Sequence, residues 1–317
     1  MKDHLEFLNM RSTFLILVLL MGLVSSAAQA GLFRDRAAQG SELEQDDGAA
    51  SGNAVLPQGA RLLKDIAYGA ADAQKMDVYL PAHAEQAPVI LMVHGGGWRR
   101  GDKAMSQVVD NKVARWVAQG FIFISVNYRM LPDADVLTQA DDVARAVAAA
   151  QAKAATWGGD PDKFILMGHS AGAHLVALLS AAPARAQAQG ARPWLGTVVL
   201  DSAAMDVAQI MQRRHLRLYD AAFGKDESFW KSASPIRQLS AGAKPMLLVC
   251  STTRPDKPCD QAEAFAVKAN ASGVRAEVSG QALSHREINQ KLGLAGSYTE
   301  AVERFMGSLS VSRDLLK

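Results

Sequence analysis

The chain has 317 residues, 49% of them hydrophobic and 21% charged. A chain of this length and apolar content can bury a sizeable core. Its 34 Lys and Arg against 32 Asp and Glu, a net charge of +2, argue against a nucleic-acid-binding protein, because such proteins need a clustered basic face.

An apolar run at residues 14–24 leads into Ala28-Gln29-Ala30. The run is shorter than the roughly 20 residues of a membrane-spanning helix, and Ala-x-Ala is typical of a signal peptidase site. We therefore expect residues 1–30 to be a cleaved secretory signal, with an uncleaved anchor as the alternative. The mature protein is then periplasmic or secreted and has no stable membrane anchor. The Gly-, Ala- and Gln-rich composition of residues 31–58 predicts a flexible segment before one domain over residues 59–317.

Short apolar runs alternate with longer helical stretches from residue 77 onward. Continuous apolar runs, typical of strands buried on both faces, occupy residues 88–93, 121–126, 164–167, 197–200 and 246–249. Residues 77–80 predict an edge strand, and residues 274–278 a last, more exposed strand. Helical stretches occupy residues 103–119, 139–157, 171–181, 261–271 and 298–309. The alternation predicts an α/β fold whose mostly parallel central sheet has helices on both faces.

The sequence Gly168-His169-Ser170-Ala171-Gly172 directly follows one predicted strand and directly precedes a predicted helix. A Gly-x-Ser-x-Gly turn in this context is typical of a nucleophile elbow, which projects the serine hydroxyl above the sheet. A side chain at either glycine would clash across the tight turn. We therefore interpret Ser170 as a catalytic nucleophile, with a purely structural turn as the alternative.

Three consecutive glycines follow the predicted strand at residues 88–93, in His94-Gly95-Gly96-Gly97-Trp98. Glycines let backbone N–H groups approach a ligand closely, and acyl transfer needs such donors at the tetrahedral oxyanion. The predicted donors are the amides of Gly96, Gly97 and Ala171. The alternative is a phosphate-binding loop, but no Gly-x-Gly-x-x-Gly or Gly-Lys-Ser/Thr sequence follows.

Residues 203–234 interrupt the alternation and are rich in Met, Arg, Tyr, Phe and Trp. This composition predicts a short helical insertion after a strand. Such insertions often cover an active site, and a surface excursion is the alternative.

The motifs His94–Trp98 and Gly168–Gly172 together resemble the esterase branch of the α/β-hydrolase superfamily that carries His-Gly-Gly-x-Trp. That branch includes carboxylesterases related to hormone-sensitive lipase, feruloyl esterase-like proteins and kynurenine formamidases. The resemblance runs from about Asp77 to Leu292 and implies a catalytic triad in the chain order Ser, Asp, His.

A late histidine is required by this chain order. Of the seven histidines, His285 is the one after Ser170 that lies in a predicted loop, so we predict it to be the general base; a capped surface histidine is the alternative. For the acid, Asp256 fits the Asp-x-Pro spacing of the resembled family in the loop after the predicted strand at 246–249. We expect Asp260 to cap the next helix. Asp201 and Asp206 are more distant candidates for the acid.

The predicted reaction is hydrolysis of a small or short-chain carboxylic ester through an acyl-enzyme on Ser170, with no cofactor and no metal. A small-molecule ester is the expected partner. Hydrolysis of a small amide such as an arylformamide is the second possibility, and a non-catalytic binding protein on the same fold is the third.

The two cysteines, Cys250 and Cys259, flank the predicted acid loop. An exported chain enters an oxidising compartment, where paired cysteines tend to form disulfides. We therefore predict a Cys250–Cys259 disulfide that restricts the loop, with two buried free thiols as the alternative.

Overall fold

A computed structural model describes residues 54–309 of the protein. An eight-stranded sheet runs through these residues in the order β1-β2-β4-β3-β5-β6-β7-β8. The strands are β1 (Arg61–Ala67), β2 (Lys75–Leu80), β3 (Ala87–Val93), β4 (Ile122–Val126), β5 (Gly159–His169), β6 (Gly196–Leu200), β7 (Met246–Ser251) and β8 (Ala276–Gln281). β1 and β2 run antiparallel to their neighbours, and the other strands are parallel.

The central strands are the continuously apolar runs of the sequence. β3, β4 and β6 are buried at every residue, as expected for parallel strands covered on both sides. The strand predicted at residues 77–80 is present as β2, but it is not an edge strand. Its outer neighbour is β1, which is largely exposed and has no continuous apolar run in its sequence.

Helices cover both faces of the sheet. They are α1 (Ser106–Lys112), continued by a π-helical turn (Val113–Val117), α2 (Val136–Lys153), continued by a 3-10 turn (Ala154–Trp157), α3 (Ala171–Ala181), α4 (Ala184–Ala188), α5 (Val207–Met211), α6 (Arg217–Phe223), α7 (Glu227–Ser232), α8 (Pro235–Gln238), α9 (Pro258–Ala271), α10 (His285–Lys291) and α11 (Ser297–Gly307). Alternate residues of the strands point to opposite faces. On one face α2 and α3 form one hydrophobic cluster and α3 and α9 form a second, and on the other face α1, α10 and α11 form a third. This arrangement confirms the predicted α/β-hydrolase architecture.

The predicted insertion at residues 203–234 contains three short helices, α5, α6 and α7. The signal predicted at residues 1–30 and most of the segment predicted at 31–58 lie outside the described residues. At the start of the described part, Ala54 and Leu56 pack against the core that also contains α10 and α11. Within residues 54–309, no helix combines the length and the apolar character needed to cross a membrane.

Candidate active site

Ser170 occupies a strained turn between β5 and α3. Its φ of +54° and ψ of −116° are rare for a residue with a side chain. The N–H of Ser170 donates to the Leu200 carbonyl at 2.9 Å, which ties the turn to the end of β6. Backbone strain of this kind costs on the order of 1–3 kcal/mol and persists where the surroundings impose it, characteristically at functional sites.

The two glycines of the motif are required by the closeness of this turn. A Cβ added to Gly168 would lie 2.5 Å from the Gly172 carbonyl oxygen, and one added to Gly172 would lie 2.2 Å from the Val93 carbonyl oxygen. Neither distance is compatible with a side chain. The clash across the turn that was expected from the sequence is therefore confirmed for Gly168, whereas Gly172 is required by its contact with the end of β3.

The glycine loop after β3 lies directly against Ser170. A Cβ on Gly95 would come within 2.9 Å of the Ser170 Cβ. Gly96 and Gly97 have φ values of +114° and +59°, which favour glycine. Within residues 54–309, no backbone acceptor pairs with the N–H groups of Gly96, Gly97 or Ala171. The glycine loop therefore adjoins Ser170, and these N–H groups take no part in the backbone hydrogen bonds of the fold.

His285 is the first residue of α10 rather than a loop residue. A reciprocal capping box starts the helix, because the Ser284 hydroxyl accepts from the Glu287 N–H and the Glu287 carboxylate accepts from the Ser284 N–H. The helix start fixes the direction of the His285 side chain. Its Nδ1 lies 2.6 Å from Asp201 Oδ2, and both side chains are buried.

Asp201 follows β6 directly and is fully buried. Its Oδ1 accepts from the Ser251 N–H at 2.7 Å, and its Oδ2 accepts from Arg254 Nη1 at 2.7 Å as well as from His285. Burial acts to raise the pKa of Asp201, but the charge of Arg254 and the hydrogen bond from His285 outweigh burial and hold the pKa below its usual range. The Asp201 carboxylate is therefore ionised.

The structure corrects the contact expected of Asp256. Its carboxylate is paired with Arg254, whose Nε lies 3.0 Å from Asp256 Oδ1 and whose Nη2 also contacts the carboxylate. The prediction that Asp256 contacts His285 is wrong, because the Arg254 guanidinium lies between them and Asp201 already accepts from Nδ1.

Asp206, the remaining candidate for the acid, and Asp260, the expected helix cap, contact other groups than His285. Asp206 caps α5 through the Gln209 N–H and pairs with Arg237. Asp260 was expected to cap a helix at residue 261, but α9 already begins at Pro258, so that Asp260 lies within its first turn. Asp201 had one sequence signal in its favour, since it stands at the carboxyl end of a buried strand.

His285 lies beside the elbow through its contact with His169. The two imidazole rings have centroids 4.4 Å apart, and His169 Nε2 donates to the His285 carbonyl at 3.0 Å. Burial and then the neighbouring His285 lower the pKa of His169 well below its ordinary value, so the ring is neutral. Within the described residues, no hydrogen bond joins Ser170 Oγ to His285. Such bonds are often long in unliganded enzymes and shorten with substrate.

The predicted disulfide between Cys250 and Cys259 is present, with Cα atoms 5.2 Å apart. It joins β7 to the first turn of α9. The bond closes the loop that carries Arg254 and Asp256. It therefore restricts the residues that contact Asp201.

The insertion packs on the glycine loop through aromatic side chains. The ring of Trp98 lies 4.9 Å from that of Phe223 and 6.0 Å from that of Tyr219. Trp98 Nε1 donates to His174 Nδ1 at 3.3 Å, and His174 Nε2 donates to the Ala233 carbonyl at 2.7 Å. Burial lowers the pKa of His174 to about 4, which keeps this bridging ring neutral. The insertion is thus anchored beside the site rather than away from it.

Within residues 54–309, no three His, Cys, Asp or Glu side chains come together as metal ligands would. The groups that do converge are a strained serine beside a glycine loop and a buried His–Asp pair. Groups of these kinds can perform nucleophilic attack and proton transfer.

Comparison with known proteins finds similarity to curated proteins that are named as esterases. It is 29% identical to Esterase LipQ of Mycobacterium tuberculosis over 66% of this chain and 53% of that protein. It is 25% identical to the isoprenylcysteine alpha-carbonyl methylesterase ICME of Arabidopsis thaliana over 68% of this chain and 54% of that protein. The chain thus spans about half the length of the curated relatives it matches.

Solved structures share the fold at lower sequence identity. Esterase B from Lactobacillus rhamnosis superposes with a TM-score of 0.68 at 18% identity, over 89% of this chain and 96% of that one. A truncated carbohydrate esterase from gut microbiota superposes with a TM-score of 0.68 at 19% identity, over 79% of this chain and 96% of that one. The model of the BD-FAE family matches residues 76–268, more than half of the chain, and the matched region contains both the glycine loop and the serine elbow. The chain therefore belongs to the BD-FAE family.

Proposed function

We propose that the protein is a serine carboxylesterase that hydrolyses small or short-chain esters through Ser170, His285 and Asp201. One observation carries the proposal: the strained Ser170 adjoins both the glycine loop and the helix start that holds His285 against Asp201. A buried His–Asp pair beside an elbow serine is the arrangement that activates a hydroxyl for acyl transfer.

In the proposed acylation step, Ser170 Oγ attacks the ester carbonyl and His285 Nε2 takes its proton. Asp201 accepts from Nδ1–H, which fixes the tautomer that leaves Nε2 free as a base. The charge that develops on the carbonyl oxygen is stabilised by the N–H groups of Gly96, Gly97 and Ala171, the proposed oxyanion hole. The imidazolium then protonates the leaving alcohol as the tetrahedral intermediate collapses.

In the proposed deacylation step, neutral His285 takes a proton from water, which attacks the acyl-Ser170 carbonyl. The same amides stabilise the second oxyanion. Collapse releases the carboxylic acid and returns the proton to Ser170. Side chains and backbone amides of this chain perform every step.

The names of the relatives support an ester as substrate, since they describe esterases and a methylesterase. The insertion supports a small one. Trp98, Tyr219 and Phe223 are nearly buried against each other beside the glycine loop. This packing leaves the insertion little freedom to act as the large mobile lid that a long-chain lipid site needs.

We expect kcat/KM for nitrophenyl acetate or butyrate to exceed that for nitrophenyl palmitate by at least about tenfold, because a pocket that cannot admit added methylenes loses their binding energy. Steady-state rates on an ester series of rising chain length measure this preference. Phe223→Ala should reduce this preference for short chains, because removal of the phenyl ring opens space beside Trp98 and Tyr219. A higher value for palmitate would contradict the short-chain assignment, and a higher value for an aryl formamide would favour the amide hydrolase.

We also propose that the protein is exported and cleaved after Ala30. The Ala28-Gln29-Ala30 sequence supports export, and so does the disulfide, since such bonds persist in oxidising compartments. Mass spectrometry of the protein from the periplasm or medium of an expressing bacterium should give Gly31 as the first residue. Ala30→Asp should block this cleavage. An intact Met1 on wild-type protein in the cytoplasm would refute export.

A further inference from the structure

Arg254 connects Asp201 and Asp256, the two carboxylates that the sequence offered as candidates for the triad acid. Its side chain is 5% exposed, in the loop between β7 and α9. Nη1 lies 2.7 Å from Asp201 Oδ2, and Nε lies 3.0 Å from Asp256 Oδ1. A planar guanidinium can donate in two directions from one rigid fork. Arg254 thus binds the carboxylate that serves His285 and a second carboxylate that does not touch it.

Arg254 also contacts the proposed base. Its Nη1 lies 2.9 Å from His285 Nδ1, while the same Nδ1 lies 2.6 Å from Asp201 Oδ2. Nδ1 cannot donate to Asp201 and accept from Arg254 at once. The Asp201 contact is the shorter, and Nη1 has acceptors in Asp201 Oδ2 and the Asp201 carbonyl. Nδ1–H therefore donates to Asp201, and the contact with Arg254 places a fixed positive charge against the imidazole.

We propose that Arg254 is a positioning residue of the triad: it orients Asp201 and, balanced by Asp256, sets the charge against which His285 takes up its proton. The proposal rests on the proposed esterase function. Asp256 then acts indirectly: its negative charge offsets that of Arg254, which would otherwise disfavour the positively charged imidazolium of His285.

The sign of the effect follows from counting charges. With His285 neutral, the charges of Asp201, Arg254 and Asp256 sum to −1. Removal of Arg254 alone leaves −2, removal of the Asp256 charge alone leaves 0, and removal of both restores −1. An electrostatic role thus predicts opposite shifts for the single variants and an intermediate position for the double variant, with the smaller shift from Asp256 because it does not contact the imidazole.

Other ionisable groups around this cluster do not change in these variants. His169 faces His285 from the end of β5, Lys112 of α1 donates to the Asn289 carbonyl of α10, and Glu287 and Lys291 lie on α10 itself. Tyr219 of the insertion faces Arg254 and both carboxylates, and Tyr298 of α11 faces Asp201. Their contribution is common to every variant, so the order of the shifts reports Arg254 and Asp256.

The pH dependence of kcat/KM for a short-chain nitrophenyl ester tests the proposal in the full chain. Relative to wild type, the acidic limb should move up by about one pH unit in Arg254→Met, as expected for a unit charge in contact with a buried imidazole. It should move down by a smaller amount in Asp256→Asn, because that carboxylate contacts Arg254 and not His285. The limb of Arg254→Met/Asp256→Asn should lie between those of the two single variants. Arg254→Lys keeps the charge without the fork, so it should keep the limb and lower kcat.

Arg115→Met is the matched control. Arg115 binds the buried Glu303 carboxylate through two hydrogen bonds of 2.9 and 2.8 Å, and its recorded contacts include none with Ser170, His285 or Asp201. It should lower the melting temperature without moving the limb. If Arg254→Met does not fold, Asp256→Asn and Arg254→Lys still decide the question.

The proposal is overturned if Arg254→Met and Asp256→Asn lower stability or kcat but share the wild-type limb, or if these two variants move it in the same direction. Labelling of Ser170 by a fluorophosphonate in the wild-type enzyme separates the two levels of inference. If the wild type is labelled and active but the limbs of the variants do not move, only the role of Arg254 is refuted. If the wild type is neither labelled nor active, the proposed esterase function is refuted.

Discussion

Replacing Ser170 with Ala should lower kcat/KM for ester hydrolysis by at least about ten-thousand-fold, since no nucleophile then remains in the elbow. The fold should persist. Alanine keeps the backbone geometry of position 170, and the turn is held by the N–H bond to Leu200 and by close packing of Gly168 and Gly172. Circular dichroism and thermal melts check folding, and rates on nitrophenyl butyrate check activity.

Ser180→Ala is the control for this variant. Ser180 is a buried serine of α3, the helix that follows Ser170. Its hydroxyl forms a hydrogen bond with the Thr197 hydroxyl and with no residue of the site. It should lose some stability and keep its activity. A fluorophosphonate should modify Ser170 alone in the wild-type protein. Full activity in Ser170→Ala, or labelling of a different serine, would remove the nucleophile from the proposal.

Asp201→Asn should lower kcat by about a thousand- to ten-thousand-fold, because an amide NH2 facing Nδ1 favours the tautomer that puts the proton on Nε2, where it cannot accept from Ser170. The imidazolium also loses its partner. Asp256→Asn should stay within about tenfold of wild type at its own optimum, since it leaves the Asp201–His285 hydrogen bond in place.

Asp206→Asn is the matched control for Asp201→Asn. Asp206 lies in the same segment after β6, but it caps α5 and pairs with Arg237. It should cost little stability, because Asn caps a helix about as well as Asp and only the partly exposed ion pair with Arg237 is lost, and it should leave kcat unchanged. If Asp256→Asn is the inactive variant and Asp201→Asn the active one, the proposed triad acid is wrong and the contact with Arg254 is structural.

The comparison of Asp201 with Asp256 shows where sequence reasoning stops. β6 and β7 are parallel neighbours, so their carboxyl ends lie side by side and either following loop can supply a carboxylate to the same histidine. Spacing relative to Pro258 favoured Asp256. The spacing does not reveal that Arg254 pairs with Asp256, nor that Asp201 accepts a hydrogen bond from the Ser251 N–H.

The sequence by itself determined the features that depend on near neighbours in the chain. The continuous apolar runs identified the central strands, because a strand buried on both faces has no polar side. The elbow and its glycines were readable because a strand, a tight turn and a helix follow one another within a few residues. The disulfide was readable because a loop of this length returns its ends to each other.

Only the tertiary structure decided the features that depend on residues far apart in sequence. The pairing of β1 outside β2, the packing of the insertion on Trp98, and the contacts of Arg254 with Asp201 and His285 each join separate segments. Residue type and spacing do not encode which of several carboxylates or cations will meet at the end of a sheet. That choice is made when the strands align and the buried charges find partners, since an unpaired buried charge costs more than any local preference can offset.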